Sequence, residues 1–187
     1  MVFSIISRLV NGVKGGVVAG LKGVSDVASS IVNVVKNTAV TTLKEGGEFV
    51  KSAIDIPASL VKGALTGVGE IGAVTVKSLK GVVNGVVQGF MESGGEQKSA
   101  IQGSVGQAIH SAKELGLDIG EAAVASVKGA VDGTKQIGGD TINATKTAVV
   151  TALTTAKEIG DDTFNAVKES LSAGVEGAKD IIESWKK

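Results

Sequence analysis

The sequence predicts an all-α protein built from one repeated unit of 22 residues. Three observations predict it. The first is register. KQIGGDTINATKTAVVTALTTA (135–156) is followed directly by KEIGDDTFNAVKESLSAGVEGA (157–178), with Ile-Gly, Asp-Thr and Asn-Ala at matching places. Extended backward, the frame gives blocks that begin at residues 3, 25, 47, 69, 91, 113, 135 and 157, with a partial ninth at 179. The second is period. The unit is two elevens, and eleven residues are close to three turns of an α-helix, ~3.67 residues per turn. The third is the absence of period-2 alternation despite many valines, which speaks against strands.

Within the block, three positions carry large apolar side chains. The third reads Ile5, Val27, Phe49, Ile71, Ser93, Leu115, Ile137, Ile159 and Ile181; the fifteenth reads Val17, Ala39, Val61, Val83, Val105, Val127, Val149 and Leu171; the nineteenth reads Leu21, Leu43, Leu65, Val87, Ile109, Val131, Leu153 and Val175. On a helix these positions share one stripe. The acidic second position (Asp26, Glu48, Glu70, Glu92, Glu114, Glu158, Asp180) falls opposite. The twelfth position is Lys14, Lys36, Lys80, Lys146 and Lys168, at the stripe's edge. Gly72, Gly94, Gly116, Gly138 and Gly160 recur at the fourth position, in the middle of the stripe. Read as helix-interior residues, each costs ~1 kcal/mol against Ala. Close helix packing or an apolar phase is then needed to offset that cost.

Four elements follow in order. A Gly-Gly pair followed by an acid recurs at Gly46-Gly47-Glu48, Gly94-Gly95-Glu96 and Gly138-Gly139-Asp140. Gly suits a helix C-terminus and an acid suits the next N-terminus. The pairs divide the chain into 2–45, 48–93, 96–137 and 140–186, each ~65 Å long if continuously helical. Pro57 disturbs the second segment, so its turn lies either at Gly46-Gly47 or at Asp55–Pro57. Residues 1–187 form one repetitive helical domain. Its architecture is an up-down bundle of about four helices or an extended helical repeat. Val83 is expected inside the stripe and Asn84 on the exposed face.

Composition narrows the function. The chain is 43% apolar but only 3% aromatic, with 27 glycines and one proline. It has no cysteine, which leaves no thiol or disulfide chemistry. Net charge is zero, against a nucleic-acid partner. Residues 1–93 hold nine basic and six acidic side chains, and residues 94–187 hold ten and thirteen. The single histidine, His110, sits at a polar position, and no His, Asp and Glu group has metal-ligand spacing. GVKGG lacks the strand-then-helix context of a phosphate loop. No enzymatic activity, cofactor, metal or small-molecule substrate is expected. The N-terminus reads as no signal peptide, and no apolar run is long enough to span a bilayer.

The repeat carries the function. Amphipathic stripes with lysines at their edges suit a lipid surface, where the lysine stems lie on the apolar layer and the ammonium groups reach phosphate. The chain also resembles known families. ASVKGAVDGTKQIGGDTINATKTAV (125–149) is similar to the 11-residue repeats of perilipins, and GVVAGLKGVSDVASS (16–30) to the Gly-Val-Val repeats of synucleins. Exchangeable apolipoproteins and late-embryogenesis stress proteins share the period. The resemblance implies a non-enzymatic coat for a membrane or lipid droplet, peripheral and cytoplasmic. In this reading the stripe binds lipid or forms the core, Lys14, Lys36, Lys80, Lys146 and Lys168 contact headgroups, and the bundle opens at its Gly-Gly turns. Trp185 is an interfacial anchor or a helix-end packing residue. A self-assembling structural protein, filament or sheet, is the alternative, with a possible homo-oligomer; a stress-protective or ice-binding protein is a second.

Overall fold

The computed structural model describes residues 2–185. Its helices are α1 (Val2–Leu21), α2 (Val27–Glu45), α3 (Asp55–Glu70), α4 (Val76–Glu92), α5 (Gln97–Glu114), α6 (Ile119–Gln136), α7 (Thr141–Ile159), α8 (Asp161–Gly174) and α9 (Ala178–Ser184). The protein is 80% helical, with no strand among the described residues. The helices pack as an up-down bundle, as expected, but in shorter pieces and in greater number than four. The segments 2–45, 48–93, 96–137 and 140–186 are not continuous. Each divides into two or more helices, and one 22-residue block yields about one helix and one turn.

The block-position-four glycines explain the breaks from α3 to α8, and Gly23, Gly47 and Gly177 stand at the others. They are not helix-interior residues. Gly72 and Gly116 both have φ +71°, a left-handed backbone that residues with a Cβ adopt at a cost. Around Gly116 the Leu117 N–H donates to the Ala112 carbonyl at 2.9 Å, and around Gly72 the Ala73 N–H donates to the Val68 carbonyl at 3.1 Å. This six-to-one bond closes a helix C-terminus. The same bond recurs after Gly94 and Gly138, from Gly95 to Phe90 and from Gly139 to Thr134, each 2.9 Å. At Gly160 the break between α7 and α8 is a single residue. After Gly72, Gly116 and Gly138 the next helix is then started by a side-chain cap. Asp118 accepts from the Glu121 N–H at 2.8 Å, Asp140 from Asn143 at 3.0 Å, and Thr75 exchanges bonds with Ser78 in a capping box.

Two layers result. The odd-numbered helices stack in one layer and the even-numbered in the other, and helices pack with those one or two places along the chain. That is the quasi-one-dimensional arrangement of a solenoid. Small residues set the direction of each contact. Gly12, Gly16 and Gly20 of α1 meet Thr42, Thr38 and Val34 of α2, so neighbours run antiparallel. Gly63 and Gly67 of α3 lie on the carbonyls of Val10 and Lys14 of α1, so helices within a layer run parallel. Likewise Gly85 and Gly89 of α4 lie on Val32 and Lys36 of α2, and Gly129 and Gly133 of α6 on Lys80 and Asn84 of α4. A Cβ on Gly85 would stand 2.7 Å from the Val32 oxygen, and one on Gly129 would stand 2.5 Å from that of Lys80. Close packing across missing Cβ atoms thus stands in for large core side chains. Asn84 is correspondingly buried, not exposed: α6 covers it, and its Oδ1 accepts from Gln88 Nε2 at 2.6 Å. Gln88 also bonds Gln136 of α6.

Alternation gives the stack two edges. One, the first edge, carries the start of α1 and the turns after α2, α4, α6 and α8. The second edge carries the turns after α1, α3, α5 and α7. The Gly-Gly-acid turns all fall on the first edge. The connection after α2 departs from the rest. It runs through residues 46–54, so both Gly46-Gly47 and Asp55–Pro57 bound the turn. Pro57 lies in the first turn of α3, where its missing N–H leaves no bond unmade. The loop is tied to α5: the Glu96 N–H and the Ser99 hydroxyl each donate at 2.9 Å, to the carbonyls of Lys51 and Ser52.

Candidate functional site

The apolar stripe is mostly interior. Val17, Leu21, Leu43, Val61, Leu65, Val83, Val87, Val105, Ile109, Val127, Val149, Leu153 and Leu171 are buried. Val27, Phe49, Ile71, Val131, Ile137, Ile159 and Val175 are half-buried. Ile5 and Leu115 are exposed. The division follows block position. The fifteenth position faces the centre of the stack in every block. From Ile71 to Ile159 the third lies at or just past a helix end, one residue before a positive-φ glycine, and so near an edge.

The twelfth-position lysines divide too. Lys14 Nζ is 2.7 Å from Glu70, Lys36 is 3.3 Å from Glu92, and Lys80 is 3.2 Å from Asp132. Each pair joins a helix to the next one in its layer. In the first two the partner is the second-position acid. The third changes because α6 sits one turn out of that register on α4: Gly129 faces Lys80, where Gly85 faces Val32. Lys146 and Lys168 are exposed and pair with no carboxylate among the described residues.

Sequence reasoning missed the exposed apolar residues that lie off the stripe. Val50 is 65% exposed, Ile54 45% and Ile142 85%. Val50 and Ile54 lie in the 46–54 loop and Ile142 opens α7, so all three stand on the first edge. Ile5, 52% exposed near the start of α1, joins them, whereas among the described residues Leu115 alone stands on the second edge. The signal available in the sequence was Pro57, which hinted at an irregular connection. Beside the loop a groove of about 850 Å³ runs past Val40, Leu43, Phe49 and Lys51 to Glu92. Its inner wall is set by Phe49 on Phe90, ring centroids 5.4 Å apart.

A second hollow of about 540 Å³ lies between α4 and α6 near the second edge, and it is lined by Val76, Lys77, Lys80, Val124, Ala125 and Lys128. Glu121 and Ser170 complete its rim. At the end of the stack, Lys157 Nζ donates to Asp161 at 2.6 Å and sits over the Phe164 ring. That bond and charge hold the Asp161 carboxyl below its ordinary pKa. Phe164 in turn meets Trp185, which is half-buried.

Among the described residues no group of His, Asp and Glu is arranged to hold a metal, and no helix is long and apolar enough to cross a membrane. His110 is exposed on α5. No family model, no curated protein and no solved structure matches the chain.

Proposed function

We propose that the protein is a non-enzymatic, peripheral lipid-surface binder that docks as a closed stack, by its first edge, onto a membrane or lipid droplet. The observation that carries this reading is the gathering of Val50, Ile54, Ile5 and Ile142 on that one edge. Val50 and Ile54 stand on the longest connection in the chain, anchored behind by α5. Inserting such side chains removes apolar surface from water at ~25 cal/mol per Å². Several shallow contacts of this size give reversible association.

The stripes do not need to open. Their burial and the Lys14, Lys36 and Lys80 ion pairs tie the helices together, and the binding edge lies elsewhere. Charge also has a lesser part than the lysine spacing suggests. Arg8, Lys44, Lys51, Lys98 and Lys135 share the edge with Glu45, Glu48, Asp55, Glu92, Glu96 and Asp140, so no net attraction to anionic headgroups follows. The outer sides of α1 and α2 are small and polar (Ser4, Ser7, Asn11, Asn33, Thr41), which suits an end cap and favours a finite stack over a filament.

Flotation tests the reading. The protein should float with phosphatidylcholine vesicles or triacylglycerol droplets, and changing NaCl from 50 to 500 mM, about a threefold change in Debye length, should weaken this little. The double variant Val50→Asp/Ile54→Asp should stay helical and stop floating. A Lys146→Glu/Lys168→Glu variant should still float. Flotation that survives the loop variant, or that needs anionic lipid, contradicts docking by the apolar edge.

A further inference from the structure

The hollow between α4 and α6 has a composition that neither the repeat nor the apolar edge explains. Its floor is apolar, from Val76, Val124 and Ala125, and three lysines rise around it. The backbone brings them together. Gly129 has no side chain, so α6 lies directly on the carbonyl of Lys80. Lys128, next in the chain, is thereby set beside Lys80 and Lys77 of α4. Gly120 does the same on the other side, letting α6 sit against Ser170 of α8 and closing that wall. Lys80 is engaged by Asp132 at 3.2 Å, but Lys77 and Lys128 are exposed and neither has a carboxylate within 4.0 Å among the described residues. Glu121 is the one acid on the rim, which leaves the hollow net positive. At about 540 Å³ it falls within the ~300–1,000 Å³ common for small-molecule sites.

We infer that this hollow is a binding site for a single-chain anionic amphiphile. Its carboxylate or phosphate head is held by Lys77 and Lys128, with Lys80 behind them, and its acyl chain lies on Val76, Val124 and Ala125. Charge complementarity selects the head, since ammonium groups donate strongly to an anionic oxygen. The apolar floor selects the tail: a free phosphate or a hydrophilic acid leaves Val124 and Val76 wet. The source is a free, monomeric amphiphile rather than an assembled membrane, because the hollow lies between helices near the second edge, away from Val50 and Ile54. The inference goes beyond surface docking and does not depend on it.

Calorimetric titration of the full chain with oleate, below its micelle concentration, tests this. Oleate is expected to bind at one site. Oleyl alcohol, which lacks the charge, and inorganic phosphate, which lacks the chain, are each expected to bind about tenfold more weakly or not at all. Lys77→Gln/Lys128→Gln removes two exposed charges without touching the core, and should weaken oleate about tenfold while its far-UV circular dichroism is unchanged. Lys146→Gln/Lys168→Gln should bind oleate as the parent does. Val50→Asp/Ile54→Asp, which should lose flotation, should also keep oleate binding, so the two proposals fail separately. The inference is overturned if oleate does not bind, if Lys77→Gln/Lys128→Gln binds it undiminished, or if phosphate or oleyl alcohol binds as tightly as oleate.

Discussion

Helix α4 and helix α1 both carry glycine at every fourth residue, and the two lines of glycine do different things. In α4, Gly81, Gly85 and Gly89 lie inside the stack, and every residue from Ser78 to Phe90 except Lys80 is buried. Gly85 and Gly89 sit on the backbone oxygens of α2. In α1, at the end of the stack, Gly12, Gly16 and Gly20 face only side chains, and Gly15 faces nothing within 4 Å. A β-branched side chain such as Thr38 or Val34 gives way to an added methyl only in part, and a backbone carbonyl in a packed helix less still. The same spacing therefore seats backbone in the middle of the repeat and the β-branched Thr38 and Val34 at its end, and only Gly15, off that line, is a plain loss of helix propensity.

The largest test of that difference is a buried charge. Val83→Asp places a carboxylate among fully enclosed neighbours and should cost more than about 4 kcal/mol, enough to unfold the middle of the stack. Ala19→Asp, on the exposed side of α1, should cost only about 1 kcal/mol, from helix propensity and the C-terminal dipole. Urea unfolding compares them, and similar losses would erase the distinction. Next, Gly85→Ala should destabilise by about 1–3 kcal/mol through its contact with the Val32 carbonyl, whereas Gly15→Ala should stabilise by up to about 1 kcal/mol, the helix-propensity gain alone. Opposite signs are the expected outcome, and a shared sign would contradict it. Gly116→Ala is intermediate, at about 1–2 kcal/mol, because φ is +71° there.

Smaller effects sharpen the comparison. Ser104 on α5 is fully buried and its hydroxyl has no partner, so Ser104→Ala should be neutral or stabilising by about 1 kcal/mol. Lys14→Ala and Lys36→Ala each remove a part-exposed ion pair and should cost no more than about 1 kcal/mol, less still in high salt. Thermal unfolding at two salt concentrations measures both.

The helical class and the block register were legible because eight copies of one pattern reinforce each other. Val17, Val61, Val83 and Val149 stand at one block position and all end in the core. The first-edge turns after α2, α4 and α6 were legible from their Gly-Gly-acid spelling, and the one after α8 (Val175-Glu176-Gly177) was not. The second-edge turns were not. Ile71-Gly72-Ala73 and Leu115-Gly116-Leu117 look like uninterrupted amphipathic helix, because a positive φ leaves no mark on the identity of a glycine. What distinguishes them is the capping residue a few positions on, Thr75 or Asp118, and that signal is weaker than a glycine pair. The lysine partners were illegible for another reason. They depend on how far one helix slides along the next, which the carbonyl contacts of Gly63, Gly85 and Gly129 set in three dimensions. Val50, Ile54 and Ile142 escaped attention because they stand off the stripe, where a periodicity argument does not look.

Whether each 22-residue block is a helix and a turn, rather than half of a long helix, is read most directly from backbone chemical shifts in solution. Helical shifts should run through α3, stop at Ile71–Thr75, resume in α4, and stop again at Leu115–Asp118 after α5, with Gly72 and Gly116 showing left-handed values. Contacts between the Gly129 α-protons and Lys80 should accompany them. Unbroken helical shifts from residue 55 to residue 92, without those contacts, would contradict the stacked-hairpin account and restore a small number of long helices.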